Sequence, residues 1–269
     1  MKGRVLIVAG SDSGGGAGIQ ADIKAVTALG GFAMTAITAL TAQNTLGVHG
    51  VFAVGTDFVA QQMRVVLDDL GADAIKTGML HSVEVIETVA RKLTNYAPDV
   101  PLVADPVMVA KGGARLLDTG AHDALAALIL PRATVLTPNA PEAEALTGIA
   151  VADEVGQQRA GERLLKMGAS AVLVKGGHVP GGEVVDLLVT PDGTVRFADA
   201  RIDSTHTHGT GCTLASSIAA GIAQGMALAD AVARSRRYVR AAILSAPGYG
   251  HGHGPLDHGV TVDPGRLES

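Results

Sequence analysis

The sequence has no tryptophan, one cysteine and only 3% aromatic residues, and charged residues make up 17% of its 269 positions. A single cysteine excludes an internal disulfide, and without a second one the common zinc spacings are excluded as well. Cys212 is therefore either inert core or a working thiol. No apolar run approaches the ~20 residues of a spanning helix. The short run from Val5 to Ala9 is too small for the apolar region of a secretory signal. These absences lead to the expectation of a cytoplasmic protein with no membrane partner. A net charge of −5 with no basic cluster gives no electrostatic footprint for nucleic acid, so the expected partner is a small molecule. What is abundant is apolar residues, at 47%, and glycine, at 35 positions. The first excludes disorder. The second is about 13% of the chain, near twice the ~7% average, and requires many tight or closely approached backbone positions.

Short apolar runs alternate with amphipathic stretches almost from end to end, which predicts an α/β fold with a largely parallel sheet. Arg4 to Ala9 reads as a buried first strand, followed by a helix with Ile19, Ile23, Val26 and Leu29 on one face. Thr35 to Thr41 and Val48 to Val54 read as the next strands. Thr56 is expected to cap a helix with Val59, Met63, Val66, Leu67 and Leu70 inward. Ala74 to Thr77 reads as a strand, and Ser82 as the cap of a helix burying Val85, Ile86, Val89 and Leu93. Further strands are expected at Leu102 to Asp105, Thr134 to Thr137, Ala171 to Lys175 and Val184 to Thr190, the last entering a hairpin at Pro191-Asp192-Gly193. Two helices, near Thr210 to Gln224 and Leu228 to Leu244, end the fold, and the tail from Pro247 reads as irregular. No linker, charge block or repeat marks a domain boundary.

Five segments carry chemistry. The glycine-rich turn from Gly10 to Gly18 lies between a strand and a helix, where backbone N–H groups can meet a ligand. Its Gly16-Ala17-Gly18 spacing fits a dinucleotide turn loosely, but no acidic residue occurs between Asp22 and Asp57 to bind a ribose. A Walker loop is excluded because the chain has no Gly-Lys dipeptide. His208-Gly209-Thr210-Gly211-Cys212 precedes a helix, so its N–H groups suit a transferring phosphoryl group, and a thiol there is expected to have a depressed pKa. Asn139 and Glu142 could turn an amide and a carboxylate toward one ligand, although from spacing alone an ordinary capped helix start is the better account. Asp105 ends a strand where a metal or phosphate partner belongs, although a solvated loop acid is just as common there. Lys175-Gly-Gly-His178 is either an anion contact or a surface turn. Together, acids, a lysine and N–H-rich turns at strand carboxyl ends suggest Mg²⁺-assisted phosphoryl transfer.

In order along the chain, these segments resemble the hydroxymethylpyrimidine/phosphomethylpyrimidine kinases of the ribokinase superfamily. The matching residues are Ala9 to Asp22, Thr41-Ala42-Gln43-Asn44, Lys76-Thr77-Gly78-Met79, Asp105-Pro106-Val107, Thr137-Pro138-Asn139 with Glu142, Lys175 to His178 and Gly209 to Cys212. The resemblance implies a single ribokinase-like domain over 1–269, three-layer α/β/α with a mostly parallel central sheet. It implies an ATP- and Mg²⁺-dependent homodimer that phosphorylates 4-amino-5-hydroxymethyl-2-methylpyrimidine and then its monophosphate in thiamine biosynthesis. By the same matching, Gln43 binds the aminopyrimidine edge, Met79 and Val107 line the ring pocket, and Asp22 and Gly10 border it. Asp105, Asn139, Lys175 and Gly209 meet the nucleotide, and Glu142 with Asp105 holds the metal. Gly209, Thr210 and Gly211 form the anion hole, with Lys175 on the phosphates and Cys212 as the base. A pyridoxal or pyridoxine kinase on the same scaffold is the alternative enzyme, and a non-catalytic pyrimidine binder is the alternative outside enzymes.

Overall fold

In the computed structural model, which describes residues 2–109, 113, 116–118, 120–263 and 265, the opening apolar run is β1 (Arg4–Ala9), buried from Val5 onward. Successive side chains of a strand point to opposite faces. Leu6 and Val8 accordingly enter one core, while Val5, Ile7 and Ala9 enter another. A strand buried on both faces belongs in the middle of a parallel sheet.

From β1 the chain runs through α1 (Gly18–Ala28) to β2 (Phe32–Ile37), parallel to β1. It then leaves the sheet as a separate antiparallel hairpin, β3 (Ala39–Asn44) and β4 (Gly47–Ala53). Helix α2 (Thr56–Asp69) returns it to β5 (Ala74–Thr77), on the other side of β1. The next units are α3 (Val83–Tyr96), β6 (Leu102–Ala104) and α4 (Ala121–Ala124), which continues through a π turn (Leu125–Ile129) and a 3-10 turn (Leu130–Arg132). β7 (Val135–Leu136), α5 (Ala140–Thr147), α6 (Glu154–Lys166) and β8 (Val172–Val174) follow. An antiparallel hairpin, β9 (Glu183–Thr190) and β10 (Gly193–Ala200), closes one edge, and α7 (Thr210–Ala223) and α8 (Leu228–Leu244) end the fold. The sheet order is β10-β9-β8-β7-β6-β5-β1-β2, and all strands from β2 to β8 in that order run parallel. Met63 of α2, Ile86 of α3 and Leu164 of α6 fill one core, while Ile19 of α1, Ile218 of α7 and Val232 of α8 fill the other. Three layers result. The parallel strands bring Gly10, Gly78, Asp105, Asn139 and Lys175 to one edge, the carboxyl edge where α/β folds bind ligands.

Several local expectations change. The run Thr35 to Thr41 is not one strand but two, broken at buried Thr38, whose N–H donates to Ala9 O and whose hydroxyl donates to Met79 O at 2.7 Å. Thr56 is the first residue of α2, not its cap; Gly55 occupies the cap position. Ile23 and Leu70 turn outward at 38% and 43% exposure, so the apolar stripes of α1 and α2 are narrower than their spacing suggests. Helix α6 was not anticipated, because its sequence is polar with two glycines. Asp153 caps it through Gly156 N–H at 2.8 Å, and at Gly161 a Cβ would stand 2.6 Å from Val189. Gly161 thus lets the helix approach β9. The tail forms no helix or strand between Pro247 and Asp263, as expected, and 264 and 266–269 lie outside the described residues.

Ile86 has no exposed surface, so Ile86→Ala is expected to cost ~2–5 kcal/mol of unfolding free energy through transfer and cavity terms. Val155, 66% exposed in α6, sets the control: Val155→Ala should stay within ~0.5 kcal/mol. Urea titration of both variants checks the pair.

Candidate active site

At the carboxyl edge, β6 ends and Asp105 follows with its side chain buried. Lys175, directly after β8, places Nζ 2.9 Å from Asp105 Oδ1 and 4.0 Å from Glu142 Oε2. Thr137 donates its hydroxyl to the same Asp105 oxygen at 3.1 Å. Asn139 and Glu142 form a reciprocal capping box at the start of α5: Glu142 N–H donates to Asn139 Oδ1 at 2.9 Å, and Asn139 N–H to Glu142 Oε2 at 2.8 Å. The helix-start account of this pair is therefore right, and both residues still line the cavity. Burial would raise the Asp105 carboxyl, but Lys175, Lys76 and the hydrogen bonds hold it below its usual range. Glu142 is pushed up to about 7, first by burial and then by the Asp105 charge, against the pull of Lys175. Two acids and one lysine thus share a site with a negative excess.

Across from them, Gly209 occupies the cap position before α7, with φ 81 and no side chain to cap the helix. A Cβ at Gly209 would lie 1.8 Å from Gly16 O, so the two glycine-rich turns interlock. The first-turn N–H groups of a helix have no intrahelical acceptor, and Gly211 and Cys212 of that turn line the cavity. A Cβ on Gly211 would stand 3.3 Å from Lys175 Nζ and 3.8 Å from Asp105 Oδ2. The bare backbone therefore approaches the charged cluster directly. On the other flank, Ala39, Met79 and Leu116 pack with Val48 and Val107 into a small apolar cluster.

One cavity of about 660 Å³ takes in Gly10, Gln43, Met79, Asp105, Val107, Asn139, Glu142, Lys175, Gly209, Thr210, Gly211 and Cys212. Asp22 is the exception among the residues expected there. It has no exposed surface, and its carboxylate accepts from Lys76 Nζ at 3.0 and 2.9 Å and from Ser216 Oγ at 2.7 Å. It lies beneath the cavity and does not border it. The glycine-rich turn also differs from expectation, because Asp12 consumes its N–H groups: Gly14 donates to Oδ1 at 2.8 Å, and Gly16 and Ala17 donate to Oδ2 at 3.1 and 2.8 Å. The turn is organised from within instead of presenting those donors to a ligand.

Cys212 is the third correction. Its helix-start position predicts a lowered pKa, whereas the cavity wall screens the sulfur from bulk water and pushes the thiol up to about 12. Asp22 and Asp105 add to the rise, and Lys76 and the Gly18 N–H oppose it. The resting side chain is a neutral thiol.

Lys76, Asp12, His208, Asp186 and Arg236 were not assigned roles from sequence, and all five line the cavity. Lys76 carried a readable signal, since a lysine inside the apolar strand Ala74–Thr77 must find a buried counter-charge. Burial works against its ammonium, but Asp22, Cys212 and Asp105 outweigh it and hold the lysine above its ordinary range. Arg236 on α8 pairs with Asp186, whose other oxygen accepts Gly176 N–H at 2.7 Å. That pairing links residues far apart in the chain and left no local pattern. Among the described residues no group of three or more His, Cys, Asp or Glu is arranged to hold a metal ion unaided, and no helix is long and apolar enough to cross a membrane.

The family model described as phosphomethylpyrimidine kinase matches residues 12–257. The chain is 46% identical over 256 residues to a hydroxymethylpyrimidine/phosphomethylpyrimidine kinase of Bacillus subtilis, covering 95% of this chain and 94% of that protein. It is 52% identical to the thiamine biosynthesis bifunctional protein ThiED of Geobacter sulfurreducens over 98% of its own length, but it spans only 54% of that relative. Its fold superposes on the ADP complex of Bacillus subtilis pyridoxal kinase with a TM-score of 0.88 at 32% identity, over 97% of this chain and 98% of that one. The three-layer architecture is thus ribokinase-like.

The raised thiol pKa has a direct consequence for alkylation, which requires the thiolate. With the pKa near 12 the thiolate fraction keeps growing as pH rises past the ordinary value of 9.0. Iodoacetamide modification of Cys212, followed by intact mass, should accelerate with pH and show no plateau below 9. A plateau near neutral pH would restore the thiolate reading.

Proposed function

Because the chain belongs to the phosphomethylpyrimidine kinase family, we propose that it transfers the γ-phosphoryl group of ATP to 4-amino-5-hydroxymethyl-2-methylpyrimidine and then to the resulting monophosphate, giving the diphosphate, in thiamine biosynthesis. The observation that carries this reading is the cavity itself, which joins three features: an apolar pocket with one amide, a lysine among acids, and the bare N-terminus of α7. Phosphoryl transfer asks little covalent chemistry of a protein; it asks for positioning and charge neutralisation.

Each part has a place in that chemistry. Met79 and Val107 hold a flat ring against the apolar cluster, Gln43 offers the paired donor and acceptor of its amide, and Gly10 gives the ring close access. Lys175, Asn139 and the backbone of Gly209 to Cys212 take the phosphates, and Gly209, Thr210 and Gly211 face the charge that develops on the transferred group. Asp105 and Glu142 fit Mg²⁺, which is usually bound through one or two carboxylates together with substrate phosphates and water. Burial first, and then the Asp105 charge, raise the Glu142 carboxyl, and a divalent cation would relieve the second. When bound, Mg²⁺ supplies neutralisation of the phosphate charge. We assign Cys212 to accept the alcohol proton in the first transfer: its resting thiol first releases its own proton to solvent, an ionisation that Lys76 favours against the burial, and the thiolate then takes the alcohol proton. The enzyme acts in the cytoplasm as a homodimer, a reading supported by exposed Leu46 and Phe52 on the β3–β4 hairpin, at 63% and 70%.

A pyridoxal kinase is the second reading, favoured by the superposition on that enzyme. Incubation with ATP, Mg²⁺ and either the aminopyrimidine alcohol or pyridoxal, with products identified by mass, separates the two. Phosphorylation of pyridoxal at the higher kcat/KM would overturn the primary reading. The two transfers also differ in need of a base. An alcohol must lose a proton as it bonds phosphorus, for which a base contributes ~10²–10⁴-fold, whereas a phosphate monoester with a second pKa of about 6 is already ionised at neutral pH. Cys212→Ala should therefore slow the first transfer far more than the second, measured separately with purified alcohol and purified monophosphate. Equal losses would leave Cys212 as a positioning residue.

A further inference from the structure

His208 stands where three segments meet. Its Nε2 lies 2.9 Å from Asp12 Oδ2 in the glycine-rich turn and 3.3 Å from Gln43 Nε2 on β3. Its N–H donates to Gly254 O in the C-terminal tail at 3.2 Å, and it forms a bridge with Pro255. The ring packs against Gly16, where a Cβ would stand 2.6 Å from His208 Cδ2. Both His208 and Asp12 are buried.

The donors and acceptors around Gln43 can be counted. The Asp12 carboxylate can only accept, so the hydrogen on His208 Nε2 points at it. A second N–H group, that of Gln43, then faces the same nitrogen with no lone pair to accept it. At the other end of the amide, Gln43 Oε1 lies 3.2 Å from Thr41 Oγ1. The single hydroxyl hydrogen of Thr41 serves Ser11 O at 2.9 Å, another group that can only accept. Donor faces donor at one end of the amide and acceptor faces acceptor at the other. Turning the amide half a revolution relieves both: Oε1 then faces His208 Nε2–H, which it shares with Asp12 in a three-centre bond, and Nε2 donates to a Thr41 lone pair. Placing an amide by its partners in this way is the general rule for Asn and Gln.

We propose that His208, oriented by Asp12, is a positioning residue that sets substrate specificity by locking the Gln43 amide with its oxygen on His208 and its nitrogen on Thr41. One amide hydrogen and one oxygen lone pair then remain for the ligand, in a fixed order. A heteroaromatic ring that presents an amino group beside an acceptor nitrogen pairs with that order in one register only. The ring assignment rests on the function proposed above, whereas the lock on Gln43 stands apart from it.

Two measurements test the proposal. In the ligand-free protein, nuclear Overhauser contacts from the Gln43 side-chain amide hydrogens should run to the Thr41 methyl group and not to the His208 ring; the reverse pattern overturns the lock. Steady-state kinetics then compare the 4-amino pyrimidine alcohol with its desamino analogue. His208→Phe, which keeps the ring and loses the donor, should lower the kcat/KM ratio of the two by about tenfold, within the range of an unpaired buried polar group. His208→Gln, which returns a donor at the same reach, should recover most of the ratio with the KM for ATP unchanged. An unchanged ratio in folded His208→Phe, or a lost ratio in folded His208→Gln, assigns His208 to packing. If the parent enzyme phosphorylates neither alcohol, the proposed function fails, while the Overhauser pattern still decides the lock.

Discussion

The buried ion pair between Lys76 and Asp22 fixes where three elements meet: β5 supplies the lysine, α1 the aspartate, and α7 the Ser216 hydroxyl that completes the carboxylate's partners. Neither charged side chain has exposed surface. Removing one partner of such a pair leaves an uncompensated buried charge, at a cost of about 3–5 kcal/mol, so the helices on this face are held in register with the sheet by more than apolar packing. The pair also sets the field at the cavity floor. Lys76 draws the Cys212 thiol and the Asp105 carboxyl downward, and the Asp22 charge raises the thiol.

Above that floor, the charged groups are arranged as a receptor with unequal halves. Lys175 leans on Asp105 and lies farther from Glu142, so one carboxyl stays ionised while the other is poised near neutrality. Opposite them is a helix start without a side chain to cap it. A polyanion fits between the lysine and the helix start. A cation fits between the carboxylates. The apolar cluster around Met79 excludes charge, and β3 contributes the polar Thr41 and Gln43 to the cavity beside it.

Much of this was legible in the sequence where one physical signal acts over a short span. Strand β1, the Ser82 cap and the bounds of α8 follow from apolar runs, a single hydroxyl and a helical period. Gly10, Asp105, Asn139 and Lys175 were legible because each follows the end of a parallel strand. What was not legible depends on distant partners. The break at Thr38 is set by Ala9 and Met79, and α6 is stabilised by β8 and β9 against a sequence with two interior glycines. Asp22 follows a motif that borders the cavity, yet its side chain turns toward Lys76, 54 positions later. The Cys212 expectation failed for a related reason: a helix end lowers a thiol pKa locally, but burial among carboxylates, which no local pattern encodes, outweighs it.

The contact between the two glycine-rich turns has a bearing on when the pocket comes into being. Asp12 and His208 are 196 positions apart, and His208 is in turn held by Gly254 and Pro255. Closing a loop of that length costs entropy that only a largely assembled fold repays. A chain still emerging from the ribosome already carries the glycine-rich turn, β3 and the acids of the central strands, yet it has no seat for phosphate until α7 and the tail have been made. Synthesis of α7 and the segment around Pro255 thus coincides with the birth of the site, and fragments that stop short of them keep the strand-end residues without the pocket.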